Sequence, residues 1–294
     1  MKKENLRILF IINPGSGNDD TDWPVLIREY FTPLDHSIEL FELPEKCDPR
    51  SIKEKIEHFA PQQVVAVGGD GTVKLVGECL LQKNIPLGIL PGGSANGLAK
   101  ELGISVDPME ALDVLVNGKV RSIHVVKINE HFCFHLSDIG FNAYVIKLFE
   151  QEEGRGMWGY IKASFKVLWK HPVMTVEMQL NNEMVKIKCA MIVIANATRY
   201  GSGVVINPLG KLDDDVFEVI AVKKVSFREI FKMRFTHAAY DPEKTVLFQT
   251  NNLKMHSVKK AHFQVDGEYL GKLNEVKASL IASALQVIVP VPAT

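Results

Sequence analysis

The sequence predicts an α/β domain, a parallel sheet flanked by helices, followed by a mainly β second half. Three observations carry this. The first third alternates short apolar runs with amphipathic stretches, the rhythm of a parallel sheet covered on both faces. After about Val120 the rhythm changes to paired strands around Asn-containing turns. The length of 294 residues is comfortable for two domains.

Arg7–Ile12 reads as a buried first strand and Asp22–Phe31 as a helix, and Ser37–Leu43 alternates as a strand does. Asp48 can cap a helix through about Phe59, with Pro49 at its first position. Val64–Val67 is a short buried strand that runs into Gly68-Gly69-Asp70-Gly71, and a helix is expected from Thr72 to about Gln82. Pro86–Leu90 is the next strand. It ends in Pro91-Gly92-Gly93, and another helix begins near Ser94. Asp107-Pro108-Met109-Glu110 then supplies a cap, a first-turn proline and an acid three positions after the cap. Beyond the change of rhythm, Ser122–Asn129 and His131–Leu136 are expected to pair across Asn129-Glu130. Met174–Leu180 and Met184–Ala195 are expected to pair across Asn181-Asn182. Val216–Val222 and His262–Asp266 are further strands, with two amphipathic helices inserted in this half.

Composition narrows the function. Hydrophobic residues make up 46% and charged residues 23%, which is ordinary for a globular chain. Lys plus Arg total 34 and Asp plus Glu 35, a net charge of −1. Such a chain has no general electrostatic reason to bind nucleic acid, so any anion site is local. Cys47, Cys79, Cys133 and Cys189 form no C-x-x-C pair and read as buried, reduced thiols, which fits a cytoplasmic location. Met1-Lys2-Lys3 before the apolar run Leu6–Ile12 is not expected to be a secretory signal. The run is interrupted by Arg7 and ends in Asn13-Pro14-Gly15, not in a small-residue cleavage site. No run approaches the roughly 18 apolar residues of a membrane span, so contact with a membrane is expected to be peripheral, at its inner face. In Trp158–His171 the residues Trp158, Ile161, Phe165 and Leu168 can share a helix face, while Lys162, Lys166 and Lys170 recur every four positions. Such a helix either rests on an anionic membrane surface or packs on its own sheet with a solvated basic stripe.

Three glycine-rich turns each follow an expected strand, and each can open a helix. They are Asn13-Pro14-Gly15-Ser16-Gly17, Gly68-Gly69-Asp70-Gly71-Thr72 and Pro91-Gly92-Gly93-Ser94-Ala95-Asn96. In a parallel sheet such strand ends lie along one edge, where ligands bind. Glycine lets backbone N–H groups approach a phosphate closely, and a helix N-terminus adds partial positive charge. No G-x-x-x-x-G-K-[ST] occurs, which excludes a Walker-type loop, and the first turn lacks the G-x-G-x-x-G of dinucleotide oxidoreductases. Phosphoryl transfer also needs charge neutralisation and a base for the acceptor hydroxyl. Asp70 and Asp266 are carboxylates of the kind that hold Mg²⁺. Asp266-Gly267-Glu268 is equally readable as a β-turn with solvated acids, and Asp213-Asp214-Asp215 as an acidic loop.

With these motifs in order, the sequence resembles the diacylglycerol kinase catalytic-domain superfamily, the bacterial lipid kinases related to sphingosine kinases. The resemblance runs nearly the whole chain. It rests on Asn13–Gly17, Gly68–Thr72, the run Pro86–Asn96, Lys211–Phe217 and Val265-Asp266-Gly267-Glu268. Gly-Gly-Asp-Gly alone is shared with NAD kinases and phosphofructokinases, whereas the Leu90–Asn96 element and the distal Asp-Gly-Glu are more specific. The resemblance implies a two-domain NAD kinase/diacylglycerol kinase-like architecture. Residues 1–120 would form the ATP-binding domain, joined by a returning strand at 286–294. Residues 121–285 would form a lipid-substrate β-sandwich, with the active site between the two.

The same resemblance implies that ATP phosphates sit against Asn13, Pro14, Gly15, Ser16, Gly17, Gly68, Gly69, Asp70, Gly71 and Thr72, with Ser94 and Asn96 nearby. Glu268 would accept the proton, Asp266 would join a water–Mg²⁺ network, and Asp214 would hold a structural Mg²⁺. The implied partner is a lipid substrate at the membrane surface, and a homodimer is compatible with this. Departures are visible. Val73-Lys74-Leu75-Val76 stands where the family continues x-Asn-Glu-Val, Gly97 stands where Asp is common, and Asp215 stands where Gly usually follows the metal-site Asp. Two other functions stay open: a soluble-substrate kinase of the NAD kinase type, and a nucleotide- or lipid-binding regulator that has lost turnover, which Lys74 and Leu75 motivate.

Overall fold

The structure is a computed structural model that describes residues 5–16, 21–151, 173–181, 183–199, 205–225, 241 and 243–291. The chain divides into two compact units, residues 1–123 with 283–294, and residues 124–282.

In the first unit, strands β1 (Arg7–Ile12), β2 (Ser37–Glu42), β3 (Gln63–Gly68) and β4 (Leu87–Pro91) alternate with helices α1 (Trp23–Phe31), α2 (Pro49–Phe59) and α3 (Asp70–Leu80). Helices α4 (Gly97–Glu101) and α5 (Pro108–Asn117) follow. Strand β5 (Lys119–Ile128) then leads into the second unit, and the last strand, β14 (Glu268–Val289), ends in the first. The strand order is β14-β4-β3-β1-β2, parallel throughout. Every residue of β3 and β4 is buried, because helices cover both faces. Each helix docks through a stripe at helical spacing: Trp23, Ile27 and Phe31 on α1, and Ile52 and Ile56 on α2. The starts are chemical. Asp22 accepts from Val25 N, Asp48 from Arg50 N, and Asp107 from Met109 N and Glu110 N, each followed by a proline in the first turn. Such caps contribute about 1 kcal/mol apiece.

The second unit contains β6 (His131–Cys133), β7 (Leu136–Gly140), α6 (Phe141–Gln151), β8 (Met174–Leu180), β9 (Glu183–Cys189), β10 (Met191–Ala195), β11 (Phe217–Val222), β12 (Thr245–Thr250) and β13 (Asn252–Val265). Its strands run β12-β11-β10-β7-β13-β14, antiparallel at every joint. Strand β8 adds to β13, and β9 adds to β8. Strands β10 and β11 read as unbroken apolar runs because both of their faces are packed. Ile192, Ile194, Phe217 and Val219 enter one core, while Val193, Ala195, Ile220 and Val222 enter another with Phe141 and Val145 of α6.

The expected strand Met184–Ala195 is two strands. The break falls at Ala190, whose N–H bonds Val222 O. It coincides with the change from the alternating β9 to the continuous apolar run of β10. His131–Leu136 also divides, into β6 and the first residue of β7, and the intervening backbone has another partner, described below. The amphipathic helix expected at Trp158–His171 lies outside the described residues.

Candidate active site

Strands β1, β3 and β4 are parallel neighbours, so their C-terminal ends deliver the three glycine turns to one edge of the first unit. The turns are tied together. Asn13 Nδ2 donates to Thr72 Oγ1 at 3.1 Å, Asn13 N bonds Val67 O at 3.0 Å, and Gly92 N bonds Gly68 O at 3.0 Å. Ser16 Oγ donates to Asn13 O at 2.8 Å and closes the first turn. Gly69 and Gly93 touch backbone to backbone: a Cβ on Gly93 would fall 2.4 Å from Gly69 Cα. Only glycine at residue 93 permits this approach. Helix α3 is preceded by Gly69 as its N-cap, which has no side chain to bond the first turn. Its N-terminal N–H groups and dipole are therefore available to an anion at the edge where the turns meet. Ser94 is exposed there. Gly17 lies outside the described residues.

Two expected ligand contacts are differently employed. Asp70 accepts from Gly97 N at 3.0 Å and from Leu98 N at 3.2 Å, so its carboxylate caps α4 and ties the second turn to the third. Asn96, with φ 50°, folds back on Gly93, accepting from its N–H at 2.9 Å and donating to its carbonyl at 2.6 Å. Both hold the shape of the turns. The Asp70 carboxylate, expected against phosphate or Mg²⁺, thus has structural work in this cap as well.

The second unit carries the acids. Asp266 (φ 51°) and Gly267 (φ 88°) are the two central residues of the β13–β14 hairpin, flanked by the pair Val265 and Glu268. Positive φ at both positions is the signature of a type I′ turn, for which Asp-Gly is a preferred pair. The ordinary-turn reading of this motif is therefore right about its backbone. It is wrong about solvation of the first acid. Asp266 accepts from Phe134 N (3.1 Å), His135 N (3.0 Å) and Leu136 N (3.2 Å), with the Cys133 thiol 3.5 Å away. These bonds take up the backbone between β6 and β7 and split the expected single strand. Both Asp266 oxygens accept backbone N–H groups, Oδ2 from Phe134 and Oδ1 from His135 and Leu136, so the side chain is fixed in orientation whatever part it takes in a water–Mg²⁺ network. Glu268 is exposed at the start of β14.

Asp214 fits a cation better. It lies in the turn before β11, half-buried between the exposed Asp213 and Asp215, and its Oδ1 is buried without a hydrogen-bond partner. A buried carboxylate oxygen needs a donor or a cation. Among the described residues no group of three or more His, Cys, Asp or Glu is arranged around a metal position. Mg²⁺ takes one or two carboxylates and fills the rest of its shell with other oxygens, so Asp214 would be one ligand of such an ion.

Sequence reasoning missed the buried polar residues beneath the hairpin. Asp138, wholly buried on β7, accepts from Asn142 Nδ2 at 2.5 Å and from Gln264 Nε2 at 2.6 Å. Gln264 Oε1 in turn accepts from Gly267 N at 2.8 Å. The available signal was a charge inside the apolar strand Leu-Ser-Asp-Ile-Gly. Glu218 inside β11 carries the same signal, and it too is held by amides, Asn207 Nδ2 at 2.6 Å and Gln249 Nε2 at 3.0 Å.

A parallel-sheet unit with three glycine turns along one edge is followed by a β unit that bears an Asp-Gly-Glu hairpin, the arrangement of motifs expected of a class of kinase. Residues 7–128 match the diacylglycerol kinase catalytic domain, and residues 138–289 match the YegS C-terminal NAD kinase beta sandwich-like domain. The chain belongs to this lipid and diacylglycerol kinase family, and its second unit is the family's β-sandwich-like domain. A diacylglycerol kinase of Staphylococcus saprophyticus is 25% identical over 219 residues, covering 71% of each chain. One from Bacillus subtilis is 23% identical over 219 residues, covering 71% of this chain and 72% of that one. The crystal structure of a Bacillus anthracis diacylglycerol kinase shares the fold, with a TM-score of 0.71 at 19% identity over 98% of each chain.

Proposed function

We propose that this chain is an ATP- and Mg²⁺-dependent lipid kinase that transfers the γ-phosphate to a hydroxyl of a diacylglycerol-like or sphingoid lipid. The observation that carries it is the convergence of three glycine turns and the uncapped N-terminus of α3 on one sheet edge, in a chain of this family. The names of the relatives support the lipid acceptor.

Phosphoryl transfer leaves little covalent work to the protein and is dominated by positioning and charge. Backbone N–H groups of the turns at 13–16, 68–72 and 92–94 hold the nucleotide phosphates, and the Gly69–Gly93 contact lets the main chain come close. Glu268 takes the proton of the acceptor hydroxyl on its carboxylate. The hydroxyl oxygen bonds the γ-phosphorus, the bond to the β–γ bridging oxygen breaks, and ADP leaves with that electron pair. Mg²⁺, when bound, would neutralise phosphate charge, and Asp214, whose buried Oδ1 lacks a hydrogen-bond partner among the described residues, would hold a separate structural Mg²⁺. Among the described residues no helix is long and apolar enough to cross a membrane, and the lipid is proposed to be met at the membrane surface.

A panel of diacylglycerols, sphingoid bases and NAD, each incubated with radiolabelled ATP and Mg²⁺, tests this. Label is expected in at least one lipid, dependent on Mg²⁺. Transfer to NAD alone would make the chain a soluble-substrate kinase. Nucleotide binding with no acceptor labelled would make it a regulator.

A further inference from the structure

We propose that Gln264 is the positioning residue for Glu268, and that the buried carboxylate of Asp138 holds Gln264 in place. This rests on the assignment of Glu268 as proton acceptor. Gln264 is buried on β13, directly between Asp138 of β7 and Tyr269 of β14 in the strand register. Its side chain has one available orientation. Oε1 must face the N–H of Gly267, and Nε2 must face the acceptor oxygen Oδ2 of Asp138. Reversing the amide would set two acceptors and two donors against each other. The backbone of Gln264 is held as well, since Ser137 Oγ donates to its carbonyl at 2.6 Å. Asn142, the second residue of α6, bonds the same Asp138 oxygen. A line of hydrogen bonds therefore runs from Asn142 through Asp138 and Gln264 to the peptide N–H that immediately precedes Glu268.

A two-residue Asp-Gly turn forms without such support, so the line is not needed to make the hairpin. Burying a carboxylate is also a poor way to gain stability, because apolar packing of the same volume does as well or better. What a carboxylate adds is a hydrogen bond roughly twice as strong as a neutral one, with a fixed direction. That direction is handed through Gln264 to Gly267. Asp266 grips the other side of the same turn through Phe134, His135 and Leu136. With both central residues held, the exposed Glu268 leaves the turn at one angle.

The test uses the full chain, the lipid labelled in the panel, and three variants. Gln264→Met keeps the volume and removes both hydrogen bonds. Its kcat is expected to fall about 10- to 100-fold, the scale of an ångström of misplacement, while KM for ATP stays within about two-fold. In the Glu268→Gln background, itself slowed about 10²–10⁴-fold, Gln264→Met is expected to cost nothing further, because residues acting as one unit are not additive. Asn142→Ala removes the far donor to Asp138 and leaves Gln264 in place. It should show a smaller loss with the same non-additivity, and it decides the matter if Gln264→Met does not fold. A wild-type kcat for the position-264 variant, or equal losses in both backgrounds, would overturn the positioning role and leave Glu268 as the base. Full turnover by Glu268→Gln would remove the base assignment, and the positioning role with it.

Discussion

The carboxylate of Asp70 accepts the N–H groups of Gly97 and Leu98 and so adds a side-chain tie to the backbone bond that already joins the second and third glycine turns. Removing it does two things at once. Asp70→Ala is expected to abolish labelling of the lipid and to destabilise the first unit by about 0.5–2 kcal/mol, the range for loss of a helix cap. Asp70→Asn retains one acceptor oxygen and should recover part of the stability. Thermal unfolding beside the transfer assay checks this. An Asp70→Ala protein with unchanged Tm would show that the cap contributes nothing measurable. Cys189 gives a residue-scale prediction in the second unit. Burial pushes its thiol up to about 12 from an ordinary value of 9.0, since the thiolate is disfavoured away from water. The buried thiol therefore costs no stability below pH 9. It lowers stability progressively as pH rises above that value, because only the unfolded chain can release the proton there. In Cys189→Ala that contribution is absent, so the Tm difference between the two proteins should shift in the variant's favour between pH 9 and 10.5. A pH-independent difference would show that the side chain titrates normally.

At the scale of elements, what was legible in the sequence is what local chemistry decides. The caps Asp48 and Asp107 sit next to the prolines they precede, and Asp266-Gly267 announces a hairpin by its own backbone preferences. The glycine turns were legible because each follows an apolar strand. The work of Asp70 was not, since its partners lie 27 and 28 residues away, and Asp266 reaches back 130 to 132 residues to its backbone donors. Strand β12 and the first half of β13 were likewise hidden. In β13, Lys254, His256, Lys259 and Lys260 give the segment a polar surface. Its inward residues, Leu253, Met255 and Ser257, find partners only when β8 and β14 are in register beside it. The β9–β10 break was visible as a change from alternating to continuous apolarity, but without the neighbouring strands nothing says that such a change is a break.

At the scale of the whole molecule, the chain returns at its end to where it began. The second unit is inserted in the first, whose sheet is completed by the last turn of sequence, with Val287 pairing Leu87 and Gln82 N bonding Ala284 O. Ala284, Leu285, Val287, Ile288 and Val289 are each at most 5% exposed there. Each large aliphatic side chain so buried contributes about 1.5–3 kcal/mol. Four of them together rival the whole margin of about 5–15 kcal/mol by which domains are stable. A chain ending at Ala282 should therefore lose the cooperative unfolding of the first unit and its nucleotide binding together, although none of the glycine turns has been touched. Differential scanning calorimetry and titration with a non-hydrolysable ATP analogue check this. The loss should be far larger than for a chain ending at Pro290, which keeps every one of those buried residues. If the Ala282 truncation binds the analogue as the full chain does, the first unit folds from residues 1–123 alone, and the returning strand is an accessory to its sheet.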